Sequence, residues 1–544
     1  MDSLSLPFSQ VPKSSKLLLD YMERHENIAR YYDGSPFSAE TYDRLKQQLL
    51  NFHINRKTLV DVLLRQNRGF GAGDKTLQNI QRLSDTETMA VVTGQQIGLF
   101  SGPAFTLYKA LTAIRLSHSL NARGLKTVPV FWLASEDHDL EEVAQTYTLN
   151  DDYEAVHLHD PGQRPAPQSP VGRVKLTESI GGVLDQLESL LPHTGERPQV
   201  IADLRAAYYP GATWSQAFAQ FLTRLFDHWG VILLDPMDKT VHTLAAPIFQ
   251  KALQQSEEFR SLLRDRSAEL VRTGYHAQVH IAEDSTLLFV EREGNRLPIH
   301  GAGGSGKEFF IGDGETASIA DLENEILDRP LNFSANVLLR PLVQDTLLPT
   351  IAYVAGPSEL AYLGQSHVLY PAFGRPMPAI FPRCGFTLVD RRIERWLEKY
   401  QVGVEDVWRG RDHLTQRIAS TAFSQGWSER FEQTEKDLAD VLSRLRKDIE
   451  ILDPTLLDTL GHAEEKIQYQ IEKLKGKLTR SALSRSDVLA RHEQALLRAI
   501  TPEKELQERV VTGAYFLGWA GYGLLERLFD QIPADHSGHF IVSL

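Results

Sequence analysis

Apolar residues recur along the chain with two periods, and the switches between them mark its elements. Between residues 10 and 85 the spacing is helical: Leu17, Leu18, Tyr21 and Met22, then Leu45, Leu49 and Leu50, share faces of 3.6-residue turns. An unbroken apolar run, Met89–Thr93, predicts a strand, and the turn Gly94-Gln95-Gln96 leads into the Gly/Pro-bearing loop GLFSGP. A helix is predicted over about 104–121, with Leu107, Ala110, Leu111, Ile114 and Leu116 on its apolar side. A second apolar strand, Val128–Ala134, ends on Glu136-Asp137-His138-Asp139. Strand, helix and strand at this spacing make a βαβ unit, which calls for a parallel sheet.

The Pro-rich stretch 160–172 reads as a linker into an insertion, and the sheet pattern resumes at Val231–Asp235 after a helix carrying Trp214, Phe218, Phe221, Leu222 and Leu225. Alternation in HAQVHIA and LLFVER, with a turn at Glu293-Gly294-Asn295, predicts a small β-rich insertion over 275–312. From about 391 the composition turns helical and charged. Leu438, Leu442, Leu445, Ile449 and Leu452 are spaced 4-3-4-3, Asp453-Pro454 interrupts, and Ile467, Ile471, Leu474 and Leu478 resume the seam. Two antiparallel helices pairing as a coiled coil satisfy that pattern. The expected organisation is therefore an α/β parallel-sheet core over 1–390, with insertions near 156–212 and 270–330. A helical coiled-coil domain follows over 391–500, and 501–544 returns to the core. The apolar segment Val510–Leu525 is too short for the ~20 residues of a spanning helix and reads as a buried helix whose glycines allow close contacts.

Composition narrows the function classes. The chain has 544 residues and a net charge of −13, with its basic residues dispersed, so no positive field suits nonspecific nucleic-acid binding. One cysteine, Cys384, allows neither an internal disulfide nor a Cys-rich zinc site. The N-terminus lacks a basic stretch followed by an apolar one, so a cytoplasmic protein outside the membrane is expected.

Two motifs carry candidate chemistry. In TGQQIGLFSGPAFTLYK, Thr93 to Lys109, a Gly-bearing turn sits between a strand and a helix. Backbone N–H groups and the helix dipole there suit an anion, and Gly94, Gly98 and Gly102 would permit close approach, unless the glycines serve packing alone. At the end of the next strand, Glu136, Asp137, His138 and Asp139 could bind an ammonium group, supply a general base or ligate a metal, with Trp132 as an aromatic wall; the alternative is a helix N-terminus. Three other signals are weaker. GAGGSGKE at 301–308 nearly fits the Walker pattern, but Glu308 stands where a hydroxyl should hold Mg²⁺ and no amphipathic helix follows, so a loop between strands is expected. His157 and His159 share a strand face with metal-like spacing, and 477–481 (KLTRS) resembles the KMSKS loop of class I aminoacyl-tRNA synthetases but lies inside the helical region.

Taken together, TGQQIGLFSGPAFTLYKA, PVFWLASEDHDLEEV, NVLLRPLVQDTLLPTIAYVAGPSELAYLGQ, FPRCGFTLVDRRI and the late LQERV resemble, in order, the bacillithiol biosynthesis cysteine-adding enzyme family. That resemblance implies a Rossmann-like core related to class I synthetase catalytic domains, with connecting-peptide insertions and a coiled-coil domain that forms a homodimer. It implies addition of L-cysteine to the glucosamine amine of glucosaminyl malate. Gly94, Gln95, Gln96, Gly98, Phe100, Gly102 and Lys109 fall on the first family signature, Glu136 to Asp139 on the second. Asn336, Arg340, Gln344, Gly356, Pro357, Glu359 and Tyr362 fall on the third. The family lacks the ordinary HIGH and KMSKS sequences, so no synthetase residue roles carry over. Joining a carboxylate to an amine in water needs activation, for which ATP is the expected donor. The related route to mycothiol uses a thiolate-bound zinc, but no Cys-containing zinc motif is present and no metal is carried over. Two other readings remain: a ligase or nucleotidyl-transferring enzyme acting on a different amine, and a non-catalytic nucleotide-binding scaffold.

Overall fold

The computed structural model describes residues 4–160, 162, 166–302, 308–312, 314–422, 426–484 and 486–544. At its centre lie five strands: β1 (Met89–Gln95), β2 (Thr127–Leu133), β3 (Ile232–Leu234), β4 (Thr350–Ala355) and β5 (Ala379–Pro382). Their order is β5-β4-β1-β2-β3, and every neighbouring pair is parallel. β2 and β4 are buried along their whole length, which is why their sequences read as unbroken apolar runs rather than alternations. Four helices matter for the cleft: α1 (Phe105–Ala122), α2 (Lys239–Gln254), α3 (Arg340–Leu347) and α4 (Pro357–Ser366). α1 follows β1 and α4 follows β4. The strand order reverses between β1 and β4, so the chain leaves their carboxyl ends in opposite directions and a crevice opens between them.

The β-rich insertion is an antiparallel sheet of Ser285–Arg292, Asn295–Gly301, Glu308–Ile311 and Glu315–Ser318, extended by Phe333–Ala335. HAQVHIA, expected to be a strand, is not one. The backbone N–H and C=O of Val279 bond to the side-chain amide of Gln365, at 2.9 Å each, in place of a neighbouring strand. Residues 303–307 of the near-Walker segment lie outside the described residues; their flanks are the ends of two antiparallel strands.

The closing segment joins a third sheet. His539–Ser543 pairs in parallel with Gly385–Val389 and antiparallel with Leu4–Leu6. The buried helix expected over Val510–Leu525 is two helices, Gly513–Ala520 and Gly523–Gln531. They are broken at Gly521, whose φ of 71° with ψ of −179° suits only glycine. Gly513 is required for packing, because a Cβ there would lie 2.5 Å from Leu107 on α1. Among the described residues no helix is long and apolar enough to cross a membrane.

The heptad seam falls on the long helices Gly426–Leu452 and Leu457–Ser484, joined through Pro454–Leu456 and linked by an Arg446–Glu464 ion pair at 2.7 Å. The pairing covers the seam incompletely: Leu445 remains 45% exposed, Leu474 53% and Leu452 83%. The segment 477–481 continues the second helix, and the side chains of 478–481 lie outside the described residues.

One buried ion pair fastens the closing segment to the core. Arg383, just after β5, donates to both oxygens of Glu508, at 2.6 and 3.0 Å, and the Phe386 amide adds a bond of 3.0 Å. Burial alone would raise the Glu508 carboxyl, but the Arg383 guanidinium holds it below the ordinary carboxylate value. Such a pair contributes stability above the unfolded carboxyl pKa of about 4.3, and loses it as pH falls through the lower folded value. Glu508→Ala strands a buried guanidinium and is expected to cost about 3–5 kcal/mol at pH 7. Urea unfolding of both proteins from pH 7 to pH 3 should show that difference shrinking with acidification; a difference that is small at pH 7 would refute the clamp.

Candidate active site

The crevice between β1 and β4 widens into a cleft of about 610 Å³. Its floor is built on Lys109. The side chain is 1% exposed, and its ammonium donates to the Gly94 carbonyl, to Gln95 Oε1 at 3.2 Å and to Glu359 Oε2 at 2.6 Å. Glu359 also accepts from the Gly356 amide and from the Tyr353 hydroxyl, each at 2.7 Å. Burial pulls the Lys109 ammonium down while Glu359 opposes it; burial would raise Glu359, but Lys109 holds that carboxyl below its ordinary value. The charged pair is thus fully hydrogen-bonded, and Lys109 has a protein acceptor for each of its three N–H groups. Gly94 is needed because a Cβ would lie 2.7 Å from the Trp132 carbonyl on β2.

One wall is acidic. Glu136, Asp137 and Glu142 line it with Gln96, whose amide nitrogen donates to Asp137 and Glu142 at 2.8 Å each. Trp132, on β2 and 1% exposed, is also among the residues around the cleft. The four-residue cluster divides: Glu136 and Asp137 line the cleft, and His138 stands beside them, 3.6 Å from Asp137 and 3.3 Å from an Arg296 nitrogen. Asp139 caps the helix Leu140–Val143, accepting from the Glu142 amide at 3.0 Å. The alternative helix-start reading therefore describes Asp139 alone.

The opposite wall is cationic. Arg340, at the start of α3, donates to Gln344 Oε1 and the Tyr362 hydroxyl, at 3.1 and 3.2 Å, so its guanidinium is held by neutral groups. Arg383 and Arg509 extend this wall. Asn336, Gly356, Glu359 and Tyr362 also line the cleft, whereas Gln344 is fully buried behind Arg340. Arg296 closes the far side, its guanidinium stacked 3.8 Å from the Phe289 ring centroid and bonded to Ser334 and the Ala335 carbonyl.

The glycine loop is divided as well. Gly94, Gln95 and Gln96 line the cleft, but Gly98, Phe100 and Gly102 do not. Phe100 is buried against Tyr208, with ring centroids 5.1 Å apart, and Gly98 and Gly102 pack backbone to backbone. The amides of Gly98, Ser101, Gly102 and Ala104 already donate to Gln96, Tyr208, Leu99 and Val511. For these residues the glycines serve packing, and the cleft's cations for an anion come from the arginines. Away from the cleft, His157 and His159 stack at 5.9 Å on one strand, with His157 bonded to Gln145. Sequence reasoning missed Arg296, Arg383, Arg509 and Glu142 as cleft residues; Arg383 and Arg509 fall within the quoted FPRCGF and LQERV strings.

Sheet order, switch-point cleft and paired long helices define a Rossmann-like α/β domain carrying a coiled-coil domain. Residues 1–384 match the profile described as "Bacillithiol biosynthesis BshC, N-terminal Rossmann-like domain", and residues 386–544 that of the BshC "C-terminal coiled-coil domain". The chain belongs to the BshC family of bacillithiol biosynthesis. It is 35% identical over 528 residues to a Koribacter versatilis protein, covering 96% of this chain and 97% of that one. It is 33% identical to a Solibacter usitatus protein, over 98% of both chains, and 28% to one from Bacillus cytotoxicus, over 96% and 97%. All three bear the name "Putative cysteine ligase BshC".

Proposed function

We propose that this protein is a ligase that joins the carboxyl group of L-cysteine to the glucosamine amine of glucosaminyl malate, forming an amide and so bacillithiol. The observation that carries this reading is the division of charge across one cleft. Glu136, Asp137 and Glu142 face Arg340, Arg383 and Arg509. Both substrates bear an amino group, which arrives as an ammonium ion and suits the acidic wall. Malate carboxylates, or the phosphates of a nucleotide, suit the arginines. The relatives' shared name and the family's pathway agree with this assignment.

ATP is the proposed energy source, supplying carboxylate activation as an adenylate or acyl phosphate. Arg340 and Arg509 are the residues here that would hold its phosphates, since Arg383 is already paired with Glu508. The chain's own part is to orient the two substrates, with Gln96 fixing Asp137 and Glu142, and Gln344 and Tyr362 fixing Arg340. A cytoplasmic setting suits a thiol product, which persists where thiols stay reduced. Incubation with L-cysteine, glucosaminyl malate and ATP, read by mass spectrometry, should give the thiol product. Asp137→Asn and Arg340→Met should each lower kcat/KM at least tenfold, roughly 1.4 kcal/mol, with melting temperatures near wild type. Product formation by well-folded variants at wild-type rates would remove these residues from the site, and absence of product from the wild type would sink the reading.

The half-covered seam of the long helices supports a homodimer through the coiled coil. A second helix pair would bury Leu445, Leu452 and Leu474 in a two-fold interface. Sedimentation equilibrium should show a dimer at tens of micromolar, an order-of-magnitude working concentration. Leu442→Glu with Ile449→Glu should shift it to monomer. A wild-type monomer under those conditions would confine the helices to pairing within one chain.

A further inference from the structure

Behind the acidic wall lies a histidine that is not part of the cleft lining. His242, on α2, is 4% exposed. Its Nδ1 is 3.0 Å from the Pro330 carbonyl oxygen. A carbonyl only accepts, so Nδ1 carries a hydrogen. Its Nε2 is buried, has no well-aligned hydrogen-bond partner among the described residues, and faces Glu136 Oε1 at 3.2 Å. Were the ring neutral, that nitrogen would turn a lone pair toward a carboxylate oxygen in a buried space. Two acceptors facing the two nitrogens require a proton on each, or a proton on Glu136.

The surroundings choose between these. The Arg296 guanidinium lies within electrostatic reach of both Glu136 and Asp137, so a positive charge already faces this wall. Asp235, at the end of β3, is a second carboxyl within the influence of Glu136; it is bonded to Ser135 at 2.5 Å and to Ser215. From the segment following Ile319–Asp328, His242 meets the backbone of Pro330 and Phe333, and on its own helix the Phe249 ring at 6.1 Å. His138 is engaged with Asp137 and Arg296, on the other side of the acidic wall.

We propose that His242 is a positioning residue held as an imidazolium, which keeps Glu136 ionised and oriented at the cleft so that Glu136 can anchor a substrate ammonium group. The inference rests on the ligase reading for the identity of that ammonium, but not for the proton pair itself. Burial alone would lower the imidazole pKa; Glu136, aided by the Pro330 carbonyl, outweighs burial and raises it. The imidazolium is therefore kept through and above the ordinary imidazole value of about 6.5, and is lost as pH rises through the raised one. Above that point Glu136 loses its partner, and ammonium binding weakens.

Two measurements test this on the full-length protein. Imidazole ¹⁵N NMR without substrate, with His242→Gln to assign the signal, should show both nitrogens of His242 protonated at pH 7. Glu136→Gln should lower its pKa to the ordinary value or below. A neutral single tautomer in the wild type at pH 7 would overturn the proposal. In steady-state assays the wild-type KM for the ammonium-bearing substrates should rise on the alkaline side while kcat changes less. In His242→Gln a side-chain amide, which does not titrate, supplies an N–H donor near the Nε2 position. This variant should keep a low KM and lose that part of the alkaline rise, whereas His242→Phe should raise KM at least tenfold at every pH. Titration of the substrate amine is common to all three proteins and cancels in the comparison. An unchanged alkaline limb in His242→Gln would overturn the role. Absence of turnover in the wild type would strike the ligase reading alone, with the NMR titration still deciding the proton pair.

Discussion

An ammonium group removed from water must be matched by acceptors, and the cleft depends on how Lys109 is matched. Its partners come from both sides of the switch point: the Gly94 carbonyl and Gln95 belong to β1, and Glu359 to α4. The strand order forces the chain apart at this point, and the ion pair draws the two sides together. Breaking a buried pair costs about 3–5 kcal/mol because one charge is stranded. The relative placement of β1 and α4 is therefore energetically fixed. The Tyr353 hydroxyl and the Gly356 amide fill the remaining demands of Glu359, so the floor of the cleft is rigid as well as charged.

The same device recurs one layer away. Arg383 and Glu508 lie 125 positions apart in the chain, yet their bidentate pair binds the closing segment to the strand that follows β5. Gln507 adds neutral bonds beside it: Leu388 donates to its side-chain oxygen at 2.8 Å, and its nitrogen donates to the Leu388 carbonyl at 2.9 Å. Arg383 and Arg509 both reach the cleft, so the coiled-coil region's return path helps to build the cationic wall. The C-terminal domain is thus structurally part of the site.

Much of this was legible in the sequence, for a definite reason. Parallel strands buried on both faces demand unbroken apolar runs, and the βαβ unit from Met89 to Leu133 announced itself through them. Asp453-Pro454 likewise marked the turn between the long helices. Legibility failed where one pattern has two physical causes. The spacing of Gly98 and Gly102 fits both ligand approach and backbone packing, and only the placement of Tyr208 and Val511 decides for packing. Alternation at HAQVHIA fits a strand, but Gln365 supplies the bonds that a neighbouring strand would have made. His242 gave no signal, because a single histidine on an amphipathic helix is ordinary until its neighbours are known.

The two walls solve different electrostatic problems, and their separation follows from the topology. Carboxylates in the segment after β2 would lose their affinity for an ammonium ion if arginines paired with them directly. In the structure Gln96, a neutral amide, holds Asp137 and Glu142, and neutral Gln344 and Tyr362 hold Arg340. Neutral partners fix position while leaving each charge available to a ligand. Charged partners hold Lys109 and Arg383, whose side chains are buried and whose need is mechanical. Glu136 stands between these cases, exposed to the cleft on one side and backed by buried His242 on the other. That partner is a histidine, a side chain whose charge can change without moving the backbone.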